Sequence, residues 1–489
     1  MSQTDAQLIQ NVVQEVLGRL GTGNGSAHPA HAAAERNSGG EAAGTHRRSH
    51  PVTGRHDSVD AAIDTAERAQ HQLHAAGLDV RDRICKLLVR IANDNKNDWG
   101  RIELEETGLG RLDHKIAKLE LLGNVPGVEF LMTHAHSGDE GIGLDEAAPW
   151  GVIGVITPVT HSIPTMTANA INMIAAGNAL VVNAHPSGAK CAALAAETFN
   201  RAIHAEFGID PLINVMDPPT LRTAEELFKH ERVPLLVATG GPAVARAAMK
   251  QPKRAIVAGP GNPPVVVDET ADLDRAARSI IDGGAFDNNL LCIGEKEVFV
   301  VRSVFSDMMR AMERAGAVQL SASQIDRLTE AAFDVKPDGH AAVKKELIGR
   351  DCHVLGEAAG ASVGRNVDLL FGETDASNLF VPEEQMMPFV PFVPVADFDE
   401  ALRLSIEHEH GFGHTAIIHS NNLANITAMG RAMNTTIFVA NGPCTAGLGI
   451  GGEGYPSYSI ATPTGEGITN PMTFTRFRRG CVSASLRFV

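Results

Sequence analysis

The chain has 489 residues, of which 44% are hydrophobic and 20% charged, and its formal net charge is −16. That length exceeds one compact core, so two or three domains with the composition of an ordinary α/β enzyme are expected. Acids are spread along the chain without a basic stripe, which argues against a nucleic-acid partner.

No run approaches the roughly 18 apolar residues that a membrane helix needs. The start, MSQTDAQLIQ, lacks the basic and apolar regions of a secretory signal. Six cysteines (Cys85, Cys191, Cys292, Cys352, Cys444 and Cys481) are scattered without a C-x-x-C pair. That spacing predicts a reduced, cytoplasmic protein rather than a disulfide framework.

Residues 1–20 carry the clearest periodicity. Leu8, Ile9, Val12, Val13, Val16, Leu17 and Leu20 fall on one side of a helix, and Thr4 with Gln7 fits a capping box. Residues 21–56 then turn to Gly, Ala, Ser, His and Asn, which predicts a flexible linker. A short helix on a long leash either docks on its own enzyme body or engages another protein; the linker favours the second.

After the linker, Asp57 and Ser58 begin a helix with Val59, Ile63, Ala66 and Leu73 inward, and a second helical region starts near Asp79. From Trp150 the pattern alternates strand and helix. Strands are expected at 151–157, 179–183, 212–216 and 235–239, with helices near 165–176, from Ser187 to Phe207, before 235 and after Pro242. Short apolar strands alternating with helices predict a parallel sheet covered on both faces, with ligands beyond the strands' carboxyl ends. Thr157, Pro158, His185, Pro186, Thr239, Gly240 and Gly241 are therefore placed at a cofactor mouth, where helix starts offer N–H groups to anions. A second α/β unit follows 259-GPGNPPVVVD-268, with a helix near 272–284 and strands at 297–301, 392–396 and 415–420. The literal match 449-GIGGEG-454 has no helix after it and is not read as a dinucleotide loop.

A catalytic sulfur needs an accessible thiol and nearby oxyanion donors. Cys85 and Cys191 lie in helical patterns, and Cys352 and Cys481 have nothing distinctive around them. Cys292, between a helix and a strand among amides, leads modestly over Cys444 on its glycine-rich loop. Asn288 and Asn289 either shape an oxyanion pocket or end a helix. Glu295 and Lys296 lie close enough to Cys292 to tune it, but a surface ion pair is the favoured reading. The histidines of 407-EHEHG-411 lack zinc-helix spacing, and no metal is expected.

The segment 286-FDNNLLCIGEKE-297 resembles the nucleophile region of the aldehyde dehydrogenase superfamily. More narrowly, it resembles the CoA-acylating propionaldehyde and acetaldehyde dehydrogenases of bacterial microcompartments. Further matching segments run in the family's order: 157-TPVTHSIPT-165, 183-NAHPSGA-189, 239-TGGPA-243, 384-EQMMPFVPFVPV-395 and 474-FTRFRRGCV-482. The resemblance implies a Rossmann-type NAD-binding domain (57–131 and 150–261), an α/β catalytic domain (262–450) and a small oligomerisation arm (132–149 and 451–489). It implies Cys292 as nucleophile, Thr160 as oxyanion donor, Gly259 and Glu384 at the cofactor, and His185 near a family lysine on the adenosine ribose. Val257 stands where hydrolytic members carry a base, so CoA rather than water is expected to release the acyl group.

The expected substrates are propionaldehyde first, then acetaldehyde or lactaldehyde, with NAD and coenzyme A sharing one cleft in turn. The expected partners are a shell protein bound through residues 5–20, inside a bacterial microcompartment, and further copies of the chain as a dimer or tetramer. The rival readings are a hydrolytic aldehyde dehydrogenase, a phosphate-dependent reductase and a shell-recruiting scaffold. For 476-RFRR-479 a charged face of an oligomer-forming strand is favoured over CoA phosphate binding.

Overall fold

The computed structural model describes residues 52–335 and 341–488. The N-terminal helix expected over 1–20, and all but the end of the expected linker, lie outside the described residues. The linker's expected last two residues, Arg55–His56, form a short strand that pairs in parallel with Val215 and Met216. Pairing to a buried strand supplies backbone partners that local composition does not foretell.

The first sheet is wholly parallel, in the order Arg55–His56, Ile213–Met216, Ala179–Ala184, Val152–Thr157, Leu235–Thr239, Arg254–Ala258. The chain leaves the central strand Val152–Thr157 first to one side and later to the other, so the strand order reverses there. Every residue of Val152–Thr157 and Ala179–Ala184 is buried. Helices Ser162–Ala175 and Ala189–Phe207 cover this sheet together with Val59–Asp94, whose helical path is broken at Gly77 (φ 85°). That break separates the two helical regions read from the sequence near Asp79.

The second sheet has seven parallel strands, in the order Val318–Gln319, Leu370–Glu373, Phe389–Val395, Glu297–Val301, Pro264–Val267, Thr415–His419, Ile437–Ala440. Val265 and Val267 face the helices Leu273–Gly284 and Arg302–Arg314, while Val266 faces Phe398–His408 and Leu423–Met433. With both faces covered, alternating side chains are buried on either side, so the central strands Glu297–Val301, Pro264–Val267 and Thr415–His419 are buried throughout. Each fully buried Val or Phe contributes about 1.5–3 kcal/mol.

A third, antiparallel sheet stands apart from both cores. Gly141–Pro149 pairs with His134–Gly138 on one edge and with Thr475–Ser483 on the other. The last strand is exposed almost throughout, Phe477 included. Arg479 grips Asp145 through Nε at 2.5 Å and Nη2 at 2.7 Å, and its guanidinium lies over the Phe477 ring. No helix among the described residues is long and apolar enough to cross a membrane.

Candidate active site

Cys292 follows the helix Leu273–Gly284 and a tight turn, Phe286–Asn289, and precedes the strand Glu297–Val301. Asp287, Asn288 and Asn289 all have positive φ (50°, 56° and 63°). Three consecutive left-handed non-glycine residues persist only where surrounding contacts over-determine them. Each of the three is clamped through its own side chain. Asp287 Oδ1 accepts the Arg111 N–H at 2.9 Å, and its Oδ2 takes the Lys118 ammonium and, at 3.4 Å, that of Lys115. The Asp287 N–H donates to His114 Nδ1 at 2.8 Å. Asn288 Nδ2 donates to Gly349 O (3.0 Å) and Asp351 Oδ1 (2.8 Å), and Asn289 Nδ2 to the Gly284 and Glu295 carbonyls, both at 2.9 Å. The two asparagines therefore hold the turn's shape and spend their amide donors on it. Gly110 makes room for this clamp: a Cβ there would lie 2.1 Å from Asp287 Oδ1.

Glu295 and Lys296 are wholly buried, not the surface ion pair that the sequence suggested. Lys296 Nζ donates to the carbonyls of Asn289 (2.9 Å) and Leu291 (3.3 Å), so it ties down the backbone on the approach to Cys292. Glu295 Oε1 accepts the Cys444 N–H at 2.8 Å, which fastens the 440–449 loop to the catalytic turn. Burial raises the Glu295 carboxyl to about 7 against the pull of that hydrogen bond. Cys444 itself is completely buried, whereas Cys292 is half-exposed. Of the two thiols Cys292 is thus the more accessible, and Cys85, Cys191 and Cys352 are buried as well. Cys481 is exposed and stands on the antiparallel arm, in the strand Thr475–Ser483.

Cys292 opens into a small pocket walled by Leu121, Phe286, Leu291, Leu448, Ile450 and Ile460. Lys118, His161, Thr445, Ser457 and Tyr458 supply its polar atoms, and no carboxylate lines it. Its free volume of about 30 Å3 accommodates roughly two or three water-sized groups. Burial pushes the Cys292 thiol up to about 12; Glu384 adds to the rise, while Lys296 and Lys118 oppose it. Glu384 is therefore electrostatically coupled to Cys292. Burial also raises its own carboxyl, against the pull of Lys296 and of the Gly261 N–H. Gly261 must be glycine, because a Cβ would meet Cys292 O at 2.5 Å.

Thr160 lies one residue before the pocket wall. Its carbonyl accepts Lys115 Nζ at 2.7 Å, and it is His161 that lines the pocket with Cys292. Lys115 thus joins the turn after the first sheet's central strand to the turn before Cys292. Lys118, His161 and Tyr458 were not singled out in the sequence. For Lys118 the signal is two lysines three apart on the short helix Leu112–Glu120, which places both on one face, and His161 lies within the matching segment 157–165.

At the other expected site, Thr157, Ala184 and Thr239 end three neighbouring parallel strands. The Thr157 hydroxyl is buried without a partner, and Thr239 Oγ1 meets Ser459 Oγ at 2.7 Å. Pro158 is half-buried and Pro186 exposed. The His185 N–H reaches Thr157 O at 3.1 Å, and its Nδ1 accepts the Ser187 N–H at 3.2 Å. A Cβ on Gly259 would come 2.8 Å from Pro463.

The helix starts differ from expectation in one respect. Glu103 Oε2 takes the Ile163 N–H at 3.1 Å, and Glu106 takes the N–H groups of Lys190 (2.8 Å) and Cys191 (2.7 Å). Two of the three helix starts are thus occupied by carboxylates from the helix Lys96–Thr107. The third, at Gly240–Gly241–Pro242, carries no side-chain cap. Val257, in the strand Arg254–Ala258, is wholly buried.

A partly exposed cysteine after a buried, tightly tied turn thus stands in a chain that also carries a parallel sheet with helix starts at its strand ends. The model of the aldehyde dehydrogenase family matches residues 48–455, and the chain belongs to that family. It is 42% identical over 435 residues to the acetylating acetaldehyde dehydrogenase EutE of Salmonella typhimurium, covering 88% of this chain and 93% of that one. Among solved structures it resembles a propionaldehyde dehydrogenase from the Clostridium phytofermentans fucose utilisation bacterial microcompartment (TM-score 0.85, 37% identity, 88% and 99% of the two chains). It also resembles the Rhodopseudomonas palustris propionaldehyde dehydrogenase with bound CoA and an acylated cysteine (TM-score 0.85, 37% identity, 88% and 98%).

Proposed function

We propose that this chain is a CoA-acylating aldehyde dehydrogenase that turns a short-chain aldehyde, NAD and CoA into acyl-CoA and NADH. The observation that carries this reading is the Cys292 pocket: a half-exposed thiol in a small apolar chamber with no carboxylate among its lining residues. The small apolar chamber is in keeping with a short-chain aldehyde, and propionaldehyde, then acetaldehyde, is the proposed substrate.

The residues present fit a dinucleotide. The uncapped helix start at Gly240–Gly241 suits a pyrophosphate, and the unpartnered Thr157 hydroxyl lies at the adjoining strand end. His185, Pro158, Pro186, Thr239 and Gly259 frame that mouth, and Glu384 is assigned to the end of the cofactor nearest Cys292. NAD, when bound, supplies the hydride acceptor for the oxidation. Cys292 as thiolate forms a C–S bond to the aldehyde carbon, and loss of hydride from that carbon leaves a thioacyl-enzyme. Lys118 and Lys296, by favouring the anionic sulfur, assist the first step. With no positioned carboxylate base, water attacks the thioester slowly; the CoA thiolate attacks instead and expels Cys292 sulfur. The family resemblance assigns the oxyanion to Thr160.

Residues 5–20 are assigned to a microcompartment shell protein on the strength of their apolar stripe in the sequence. The exposed arm of residues 132–149 with the C-terminal strand is assigned to a dimer or tetramer. Deleting residues 1–20 tests the first assignment: turnover is expected to persist while co-sedimentation with shells is lost.

The enzymatic reading is tested by NADH formation from propionaldehyde, with and without CoA, with the product identified by mass. CoA-dependent turnover giving propionyl-CoA supports it. Equal turnover without CoA, giving propionate, refutes acyl transfer.

A further inference from the structure

We propose that His161, as a neutral imidazole, is the side chain that donates a hydrogen bond to the carbonyl oxygen of the substrate beside Cys292. His161 lies at the start of the helix Ser162–Ala175, is 7% exposed, and lines the Cys292 pocket. Its Nδ1 is buried without any hydrogen-bond partner. A buried polar atom left unpaired is costly, and that cost is relieved if the ligand supplies the partner. Thr160 is less suited, because it does not line the pocket.

The groups that face the ring fix its charge. From the helix Leu112–Glu120 come Lys115 and Lys118, from the catalytic turn Asp287 and Cys292, and from the 456–460 segment Ser457 and Tyr458, whose ring centroid lies 5.8 Å away. Burial, then Lys118 and Lys115, hold the imidazole's pKa well below its usual value, against the weaker pull of Asp287. The ring therefore stays neutral at physiological pH, and with its proton on Nδ1 it donates rather than accepts.

As sulfur bonds to the carbonyl carbon, the C=O electron pair moves onto oxygen, and Nδ1–H stabilises that charge without giving up its proton. When hydride leaves the carbon, the C=O bond re-forms. The same donor serves again when the CoA thiolate attacks the thioester. A preformed neutral donor of this kind lowers the barrier without protonation chemistry.

The inference rests on the proposed reaction, but its test is separable from it. Full-length His161→Ala, His161→Asn and His161→Leu are compared in NADH formation with propionaldehyde, NAD and CoA. His161→Ala and His161→Leu are expected to lose on the order of 10²–10³ in kcat, while His161→Asn, which keeps a donor, stays within about tenfold of the parent. The aldehyde KM is expected to move less than about threefold, and the rate of Cys292 alkylation by iodoacetamide to stay unchanged. His161→Leu fills the space of the ring, so it keeps the test valid where alanine unfolds the pocket. Unchanged kcat in the leucine variant, or an asparagine variant no better than leucine, overturns the proposal. CoA-independent propionate formation by the parent would sink the acyl-transfer reading alone, since both routes pass through the same oxyanion.

Discussion

The turn before Cys292 is tied to several other segments through its own buried side chains, whereas the mouth at Thr157, His185 and Gly241 lies at strand ends beside exposed glycine and proline. One region fixes a sulfur atom to within the tolerance of bond formation; the other leaves backbone free for a large, departing ligand. Geometry at the first is held by charge in a dry interior, where losing one partner strands another. At the second it follows from parallel-sheet topology, which survives loss of any single side chain. Substitutions are therefore expected to act on different observables in the two places.

The largest effect belongs to the nucleophile. Cys292→Ala is expected to lower kcat by on the order of 10⁴-fold or more, while the melting temperature stays near that of the parent. Residual turnover near the parent's would move the chemistry to another residue.

Next comes the clamp. Asp287→Ala leaves Lys115 and Lys118 buried beside only Glu103, and a loss of about 3–5 kcal/mol is expected in denaturant unfolding. A loss under about 1 kcal/mol would mean that the turn holds its shape without the carboxylate. Burial alone would raise the Asp287 carboxyl, yet Lys118 and Lys115 bring it down to about 2. Its folded pKa is thus depressed, so its contribution is present above the unfolded value of about 4. That contribution is expected to fade as pH falls from there towards 2, a dependence that Asp287→Ala should lack.

At the mouth, Gly241→Asp sets a carboxylate at the uncapped helix start, where a Cβ meets nothing within 4 Å. KM for NAD is expected to rise about tenfold while kcat holds, because like charge opposes the pyrophosphate. Stability should change by no more than about 0.5 kcal/mol, since Asp caps helices about as well as Gly or better. Unchanged KM would move the pyrophosphate elsewhere. The smallest effect is Glu106→Ala, which uncaps the helix Ala189–Phe207 and should cost about 1 kcal/mol in thermal or denaturant unfolding. An unfolding midpoint equal to the parent's would mean that solvent replaces the cap without cost.

The same contrast explains what was legible in the sequence. Strand runs such as 235–239 and 297–301 were readable because burial on both faces leaves an uninterrupted apolar signature. Cys292 stood out by its amides and by family resemblance. The linker's end at Arg55–His56 was misplaced because its strand depends on a partner some 160 residues away. Glu295 and Lys296 were read as surface charges because polarity predicts exposure until one sees the carbonyls and N–H groups that absorb them. His161, Lys118 and Tyr458 gave almost no signal, since each comes from a different segment and acquires meaning only where the three meet.

The central claim, that Cys292 carries the acyl group until CoA removes it, is tested most directly by trapping. The protein is mixed with propionaldehyde and NAD, quenched without CoA, and the Cys292 peptide is weighed. The account predicts a propionyl adduct on Cys292 that disappears on adding CoA, with propionyl-CoA appearing in equal amount. Free propionate released without CoA, and no adduct on Cys292, would contradict it.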